Sequence, residues 1–205
     1  MTTSATTRAT FLGFAALALA ACAKKENNAA DTTAASSTTM ADTSAMAGGA
    51  ASTTPSGTWS DANIVALLDE ANAADSSAGA VASTKGTAAA VRDFGRRMMR
   101  DHHQLRAQGA ALAKKLNVTP SAPSDDPVPG MAQKETNTLN TTAKGKDFDK
   151  AYIDAEVDAH KAVLDLATKA AAQTQTAELK NLIQKAAPVI QGHLDKAESI
   201  QKTLK

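Results

Sequence analysis

The chain has 205 residues, a formal net charge of +1 at pH 7 and a single cysteine. That balance supplies no electrostatic footprint for nucleic acid, and one cysteine excludes both an internal disulfide and a cysteine-based zinc cluster. Aromatics are only 3% of residues and alanine is abundant, which argues against strands and for an all-α chain.

The first residues are polar and include Arg8; the run from Phe11 to Ala21 is almost wholly apolar and ends at Cys22. So short an apolar core behind a positive residue predicts a signal peptide over residues 1–21, because a spanning helix needs about 20 apolar residues. Leu19-Ala20-Ala21-Cys22 resembles the bacterial lipobox, in which the cysteine is diacylated and becomes the new N-terminus. Several acyl chains on one residue supply stable membrane attachment. Ala23 follows where Asp resembles an inner-membrane retention signal, so the expectation is an exported protein held through Cys22. Its place is then the periplasmic face of the outer membrane or the cell surface. Residues 22–58 are rich in Ala, Thr, Ser, Gly and Asp with almost no large apolar side chain, and predict a disordered tether. At random-coil scaling such a tether spans roughly 30–35 Å.

A helical domain is expected over residues 59–205. Ser60 suits an N-cap, with Trp59 before it placed to pack on Ile64. Ile64, Leu67, Leu68, Ala71, Ala74, Ala78 and Ala82 keep a helical period to about Lys85, where Gly86 can end the helix. A second helix is predicted from about Thr87 to Leu116 on a stripe of Val91, Phe94, Met98, Leu105, Leu112 and Leu116, with Asn117 as its cap. Pro120, Pro123, Pro127 and Pro129 then forbid a regular helix, and a weak helical piece from about Met131 to Thr142 interrupts the connection. A third long helix is predicted from near Asp147 to about Gln173, and a last one from about Gln175 to Thr203, kinked at Pro188. Two hairpins joined by one long crossover make the ferritin-like four-helix bundle; an up-down bundle with a wandering connection is the alternative.

Ionisable residues on the apolar stripes carry the chemical information. His102 lies four after Met98, and Glu156 and His160 share a face with Phe148, Tyr152 and Val163. His193 follows Ile190 by three, and Asp75 stands between Ala71 and Ala78. At about 1.5 Å per residue, His102 and His160 fall roughly 22 and 20 Å from the starts of their helices. Those helices run parallel in a ferritin-like bundle, so the two histidines share a depth. His102, His160 and His193 with Glu156 and Asp75 are thus candidate ligands for a transition metal such as Fe, Mn, Zn or Cu. The plainer role for a histidine at such a place is a hydrogen bond to a carboxylate across a helix interface. Di-iron bundles use Glu-x-x-His, whereas Glu156 and His160 are four apart, so di-iron catalysis is disfavoured. His103 is off the stripe, and Met98 fits a core position. No phosphate loop, nucleophile elbow or helical His-Glu-x-x-His motif is present.

The run Val91-Arg92-Asp93-Phe94-Gly95-Arg96-Arg97-Met98-Met99-Arg100-Asp101-His102 is similar to a signature of domain-of-unknown-function family 4142. So are Phe148-Asp149-Lys150-Ala151-Tyr152 with His160, and Pro188 followed by His193-Leu194. The resemblance implies a ferritin-like helical fold in an exported bacterial protein, and no agreed activity. Family members often carry Glu before the first helix's glycine; here the run is Asp75-Ser76-Ser77-Ala78-Gly79, which removes a potential ligand. Three functions are consistent with these features: a non-enzymatic, lipid-anchored envelope module that binds a metal, a ferritin-type metal-dependent oxidase or peroxidase, and a structural or stress-related envelope protein.

Overall fold

The computed structural model describes residues 57–204. The predicted signal peptide, Cys22 and nearly all of the predicted tether lie outside the described residues. Five helices follow in order: α1 (Asp61–Lys85), α2 (Ala89–Leu116), α3 (Val128–Thr141), α4 (Lys146–Gln173) and α5 (Ala177–Thr203). No strand occurs among the described residues, and no described helix is long and apolar enough to cross a membrane.

Local chemistry sets the ends. Ser60 caps α1 in a reciprocal box, its hydroxyl accepting from the Asn63 amide at 3.2 Å while Asn63 Oδ1 accepts from the Ser60 amide at 3.0 Å. Trp59 is buried in the same apolar cluster as Ile64. Helix α2 stops at Asn117, which adopts the left-handed conformation (φ 53°) open to asparagine. Helix α3 starts at Val128, earlier than its periodicity indicates, and takes in Pro129. A proline in the first turn lacks only an amide that would have no intrahelical acceptor, so it initiates this helix instead of forbidding it. Helix α5 continues through Pro188.

Contacts between helix ends establish direction. The Trp59 amide donates to Gln173 Oε1 (2.6 Å), so the start of α1 meets the end of α4. The Thr87 and Ala88 amides donate to Asp149 at 2.8 and 2.7 Å, so the α1–α2 turn meets the start of α4. Lys115 near the end of α2 pairs with Glu178 at the start of α5. Helices α2 and α4 are therefore parallel diagonals. The connection between them begins beside the start of α1, where the Ser121 amide donates to Ala62 O. It ends beside the last turn of α1, where Lys85 donates to Leu139 O. It thus travels the length of α1, with α3 seated against α1 and α4. This is the two-hairpin, long-crossover topology, not the up-down alternative.

The interior is divided. One apolar cluster gathers Ile64, Leu67 and Ala71 with Val163, Leu166, Leu179, Ile183 and Ile190. The other gathers Ala82, Val91, Phe94 and Met98 with Phe148, Tyr152, Ile153, Leu194 and Ile200. Between them in every bundle helix lies a polar position: Asp75 in α1, His102 in α2, Glu156 and His160 in α4, and His193 in α5. All five are at most 3% exposed.

Candidate metal centre

Each bundle helix delivers its polar side chain because that residue occupies a stripe position between two runs of core residues. The three imidazoles converge: ring centroids are 5.1 Å apart for His102 and His193, 5.4 Å for His160 and His193, and 5.6 Å for His102 and His160. One ring nitrogen from each lies within 4.8 Å of the others. Asp75, Glu156 and His160 form a second such group, with ligand atoms again within 4.8 Å of one another. All five sequence-selected residues therefore meet at one level of the bundle.

Each of these three histidines is held by one nitrogen and free at the other. His102 Nδ1 is 2.8 Å from Asn72 Oδ1, and Asn72 uses its amide group on Leu68 O (2.6 Å), leaving that oxygen as the acceptor. His160 Nδ1 donates to the Glu156 carbonyl at 2.9 Å. His193 Nε2 donates to Asp101 Oδ2 at 2.9 Å, and Arg97 holds the same oxygen at 3.2 Å. The opposite nitrogens, His102 Nε2, His160 Nε2 and His193 Nδ1, are buried without a hydrogen-bond partner. A ring tethered through one N–H to an outer acceptor, with its other nitrogen pointing inward, is how proteins prepare imidazole for a metal. Buried polar atoms without partners are costly, so three of them facing one another ask for a ligand.

Electrostatics separates the histidines. Burial, reinforced by the charges of His160 and His193, pushes His102 down to about 3. Burial also lowers His193, against the pull of Asp101. His160 goes the other way, to about 9: burial opposes its charge, but Glu156 and Asp75 together outweigh that penalty. Asp75 rises to about 7 through burial and the repulsion of Glu156. His160 must therefore release a proton before its inner nitrogen can coordinate, and a bound cation would return Asp75 to its ionised form.

Three further residues of this site are less visible in the sequence. Asn72 follows Leu68 by four and precedes Asp75 by three, so its helical spacing is a usable signal. Asp101 is set beside His102 in the chain, yet its carboxylate serves His193, 92 positions away. Glu135, on α3, brings a carboxyl towards Asp75 and Glu156. Burial and those two charges push it up to about 9. It lies four after Met131 and four before the buried Leu139, a spacing obscured by the prolines preceding it. His103 is exposed and Met98 is fully buried core, as their positions on the stripe predict.

The fold and this cluster define an all-helical bundle with a buried histidine–carboxylate layer. The chain belongs to the family described as "Domain of unknown function (DUF4142)", whose model matches residues 42–200. No curated protein matches it. A solved structure titled "CopM in the Cu(II)-bound form" is similar in fold, with a TM-score of 0.57 and 12% identity over 72% of this chain and 99% of that one.

Proposed function

We propose that this protein binds one transition-metal ion through His102, His160 and His193, in the bacterial envelope, with Cu2+ the ion it holds most tightly. The observation that carries this is the set of three inward ring nitrogens, each unpartnered while its ring is pinned through the other nitrogen. Imidazole suits copper, zinc and nickel, and Cu2+ stands highest among divalent first-row ions at nitrogen donors. A bundle of similar fold whose title reports bound Cu(II) supports the choice of ion. A purely structural polar layer would need the outer bonds to Asn72, the Glu156 carbonyl and Asp101, but not the three unpartnered nitrogens. The spacing of Glu156 and His160, without Glu-x-x-His, favours holding a metal over di-iron turnover.

The envelope location rests on Arg8, the apolar run to Ala21 and the lipobox-like Leu19-Ala20-Ala21-Cys22. Labelled fatty acid should enter the wild-type chain in a bacterial host and be absent from Cys22→Ser. Equal labelling of both would remove the anchor from this proposal. For the metal, the full-length chain is titrated with Cu2+ and followed by electron paramagnetic resonance. The expected result is one Cu2+ per chain with nitrogen hyperfine structure, lost in His102→Ala and His193→Ala. A wild type that holds no more Cu2+ than the double variant overturns it.

A further inference from the structure

A cavity of about 340 Å³ is lined from α1, α2, α4 and α5. Val65, Val163, Leu179 and Ile183 line it as buried residues, whereas Leu105 and Leu182 line it half-buried, so the space runs from the core towards the surface between α2 and α5. Apart from Asp69, Asn72 and Arg106, every side chain on its wall is apolar, and none is aromatic. The lining stretches Val65 to Asn72 on α1 and Leu179 to Ile190 on α5 rise about 10 and 16 Å. Spread over that length, the volume leaves a cross-section of roughly 20–35 Å², which admits one hydrocarbon chain. The three polar wall groups are unequal. Asn72 is committed to His102 Nδ1 and to Leu68 O. Asp69 accepts from Arg106 Nε at 2.8 Å and from Nη2 at 3.0 Å, which leaves Nη1 of this part-exposed guanidinium for a further acceptor.

We propose that this cavity binds a single-chain anionic lipid, a fatty acid with its hydrocarbon tail inside and its carboxylate at Arg106. Protein interiors hold few voids larger than a water molecule, whereas ligand pockets are apolar spaces of about 300–1,000 Å³ with a few placed polar groups. An apolar cavity of about 150 Å³ takes benzene, so this one takes roughly twelve carbons. A wall without aromatic rings, and without a spare polar atom in its depth, suits an aliphatic chain better than a ring compound or a sugar. The charge at the mouth selects the head. Helix α2 carries five arginines and two lysines against two aspartates, a field that favours an anion, and a guanidinium donates strong hydrogen bonds to carboxylate. The site uses none of the three histidines and stands whether or not a metal is held there.

Full-length chain carrying Cys22→Ser, which has no acyl group of its own, is titrated with sodium dodecanoate below its micellar range in an isothermal calorimeter. One dodecanoate per chain is expected, with hexanoate and dodecyltrimethylammonium at least tenfold weaker. Arg106→Gln is expected to weaken dodecanoate about five- to tenfold. Ala186→Phe, which places a ring on the cavity wall, is expected to abolish uptake. Lys161→Gln, which breaks the surface pair with Glu198, is expected to leave uptake unchanged. Circular dichroism reports folding, and if Ala186→Phe unfolds, Arg106→Gln and the comparison of ligands decide the matter. No uptake of dodecanoate, equal affinity for dodecyltrimethylammonium, or full affinity in Arg106→Gln overturns the proposal. Uptake by Cys22→Ser but not by the wild-type chain assigns the cavity to the protein's own acyl group and overturns it as well.

Discussion

The spacing between α1 and α2 is set by two glycines, and a methyl group at one of them tests whether that spacing matters to the histidine–carboxylate layer. A Cβ at Gly95 would stand 2.6 Å from the Gly79 carbonyl oxygen and 2.9 Å from the Ser83 amide nitrogen. Ordinary contact begins near 3.4 Å, so Gly95→Ala obliges two backbones to separate by about 0.8 Å. Overpacking typically costs about 1–3 kcal/mol, and backbone atoms, which cannot rotate away, place this case at the upper end. Alanine recovers about 0.8–1 kcal/mol of helix propensity, leaving a net loss of about 2 kcal/mol. Gly109 provides the control on the same helix, since a Cβ there meets nothing within 4 Å. Gly109→Ala should therefore gain up to about 1 kcal/mol from propensity alone. Thermal unfolding should show Gly95→Ala melting roughly 4–8 °C lower and Gly109→Ala roughly 2–4 °C higher than wild type. Because Asn72 on α1 holds His102 on α2, Gly95→Ala should also weaken Cu2+ binding, which Gly109→Ala should not. Equal melting temperatures for the two variants would refute the close-packing argument.

Asp101→Ala removes the acceptor that orients His193, so Cu2+ affinity should fall about 10–100-fold with the helical circular dichroism unchanged; unchanged affinity would show that the orientation is irrelevant. Asp149, 1% exposed, accepts from the Thr87 and Ala88 amides and the Thr87 hydroxyl, capping α2 from α4. Asp149→Ala should cost about 2–3 kcal/mol in urea unfolding, at the high end for a cap because the stranded amides are partly buried; a loss below about 0.5 kcal/mol, the size expected of a surface change, would contradict this. The metal-free protein should lose stability between about pH 7 and 9. His160, at about 9, and Glu135, also at about 9, keep protons in the fold that the unfolded chain has already released. The native state then binds more protons, stability falls as pH rises, and the size is on the order of 1–3 kcal/mol. His102, held down at about 3, acts oppositely and only on the acid side, below its ordinary value of 6.5. Saturating Cu2+ should remove the part of the alkaline loss due to His160 and leave that of Glu135, which scanning calorimetry across this range would check.

The helices and their order are legible in the chain because each bundle helix keeps a 3.6-residue stripe long enough to outweigh local noise, and caps such as Ser60 and Asn117 mark its ends. The depth of the polar layer is legible for the same reason: a constant rise per residue turns sequence distance into height, so His102 and His160 can be levelled from the chain alone. What periodicity does not carry is the partner of a side chain across an interface. Asp101 and His193 lie on α2 and α5, and nothing in the spacing along either helix selects that pair over Asp101 with a lysine or solvent. Helix α3 shows a second limit. A weak helix among prolines contributes little to a stripe, yet its place is determined by the crossover that must run back along α1, and that path alone carries Glu135 to Asp75. The crossover is therefore where topology adds chemistry that the local pattern cannot announce. The stretches that carry the family resemblance lie on α2, α4 and α5 and hold the three buried histidines, whereas the place of Asp75 and Glu135 beside one cavity depends on how α1 and α3 are brought against α4.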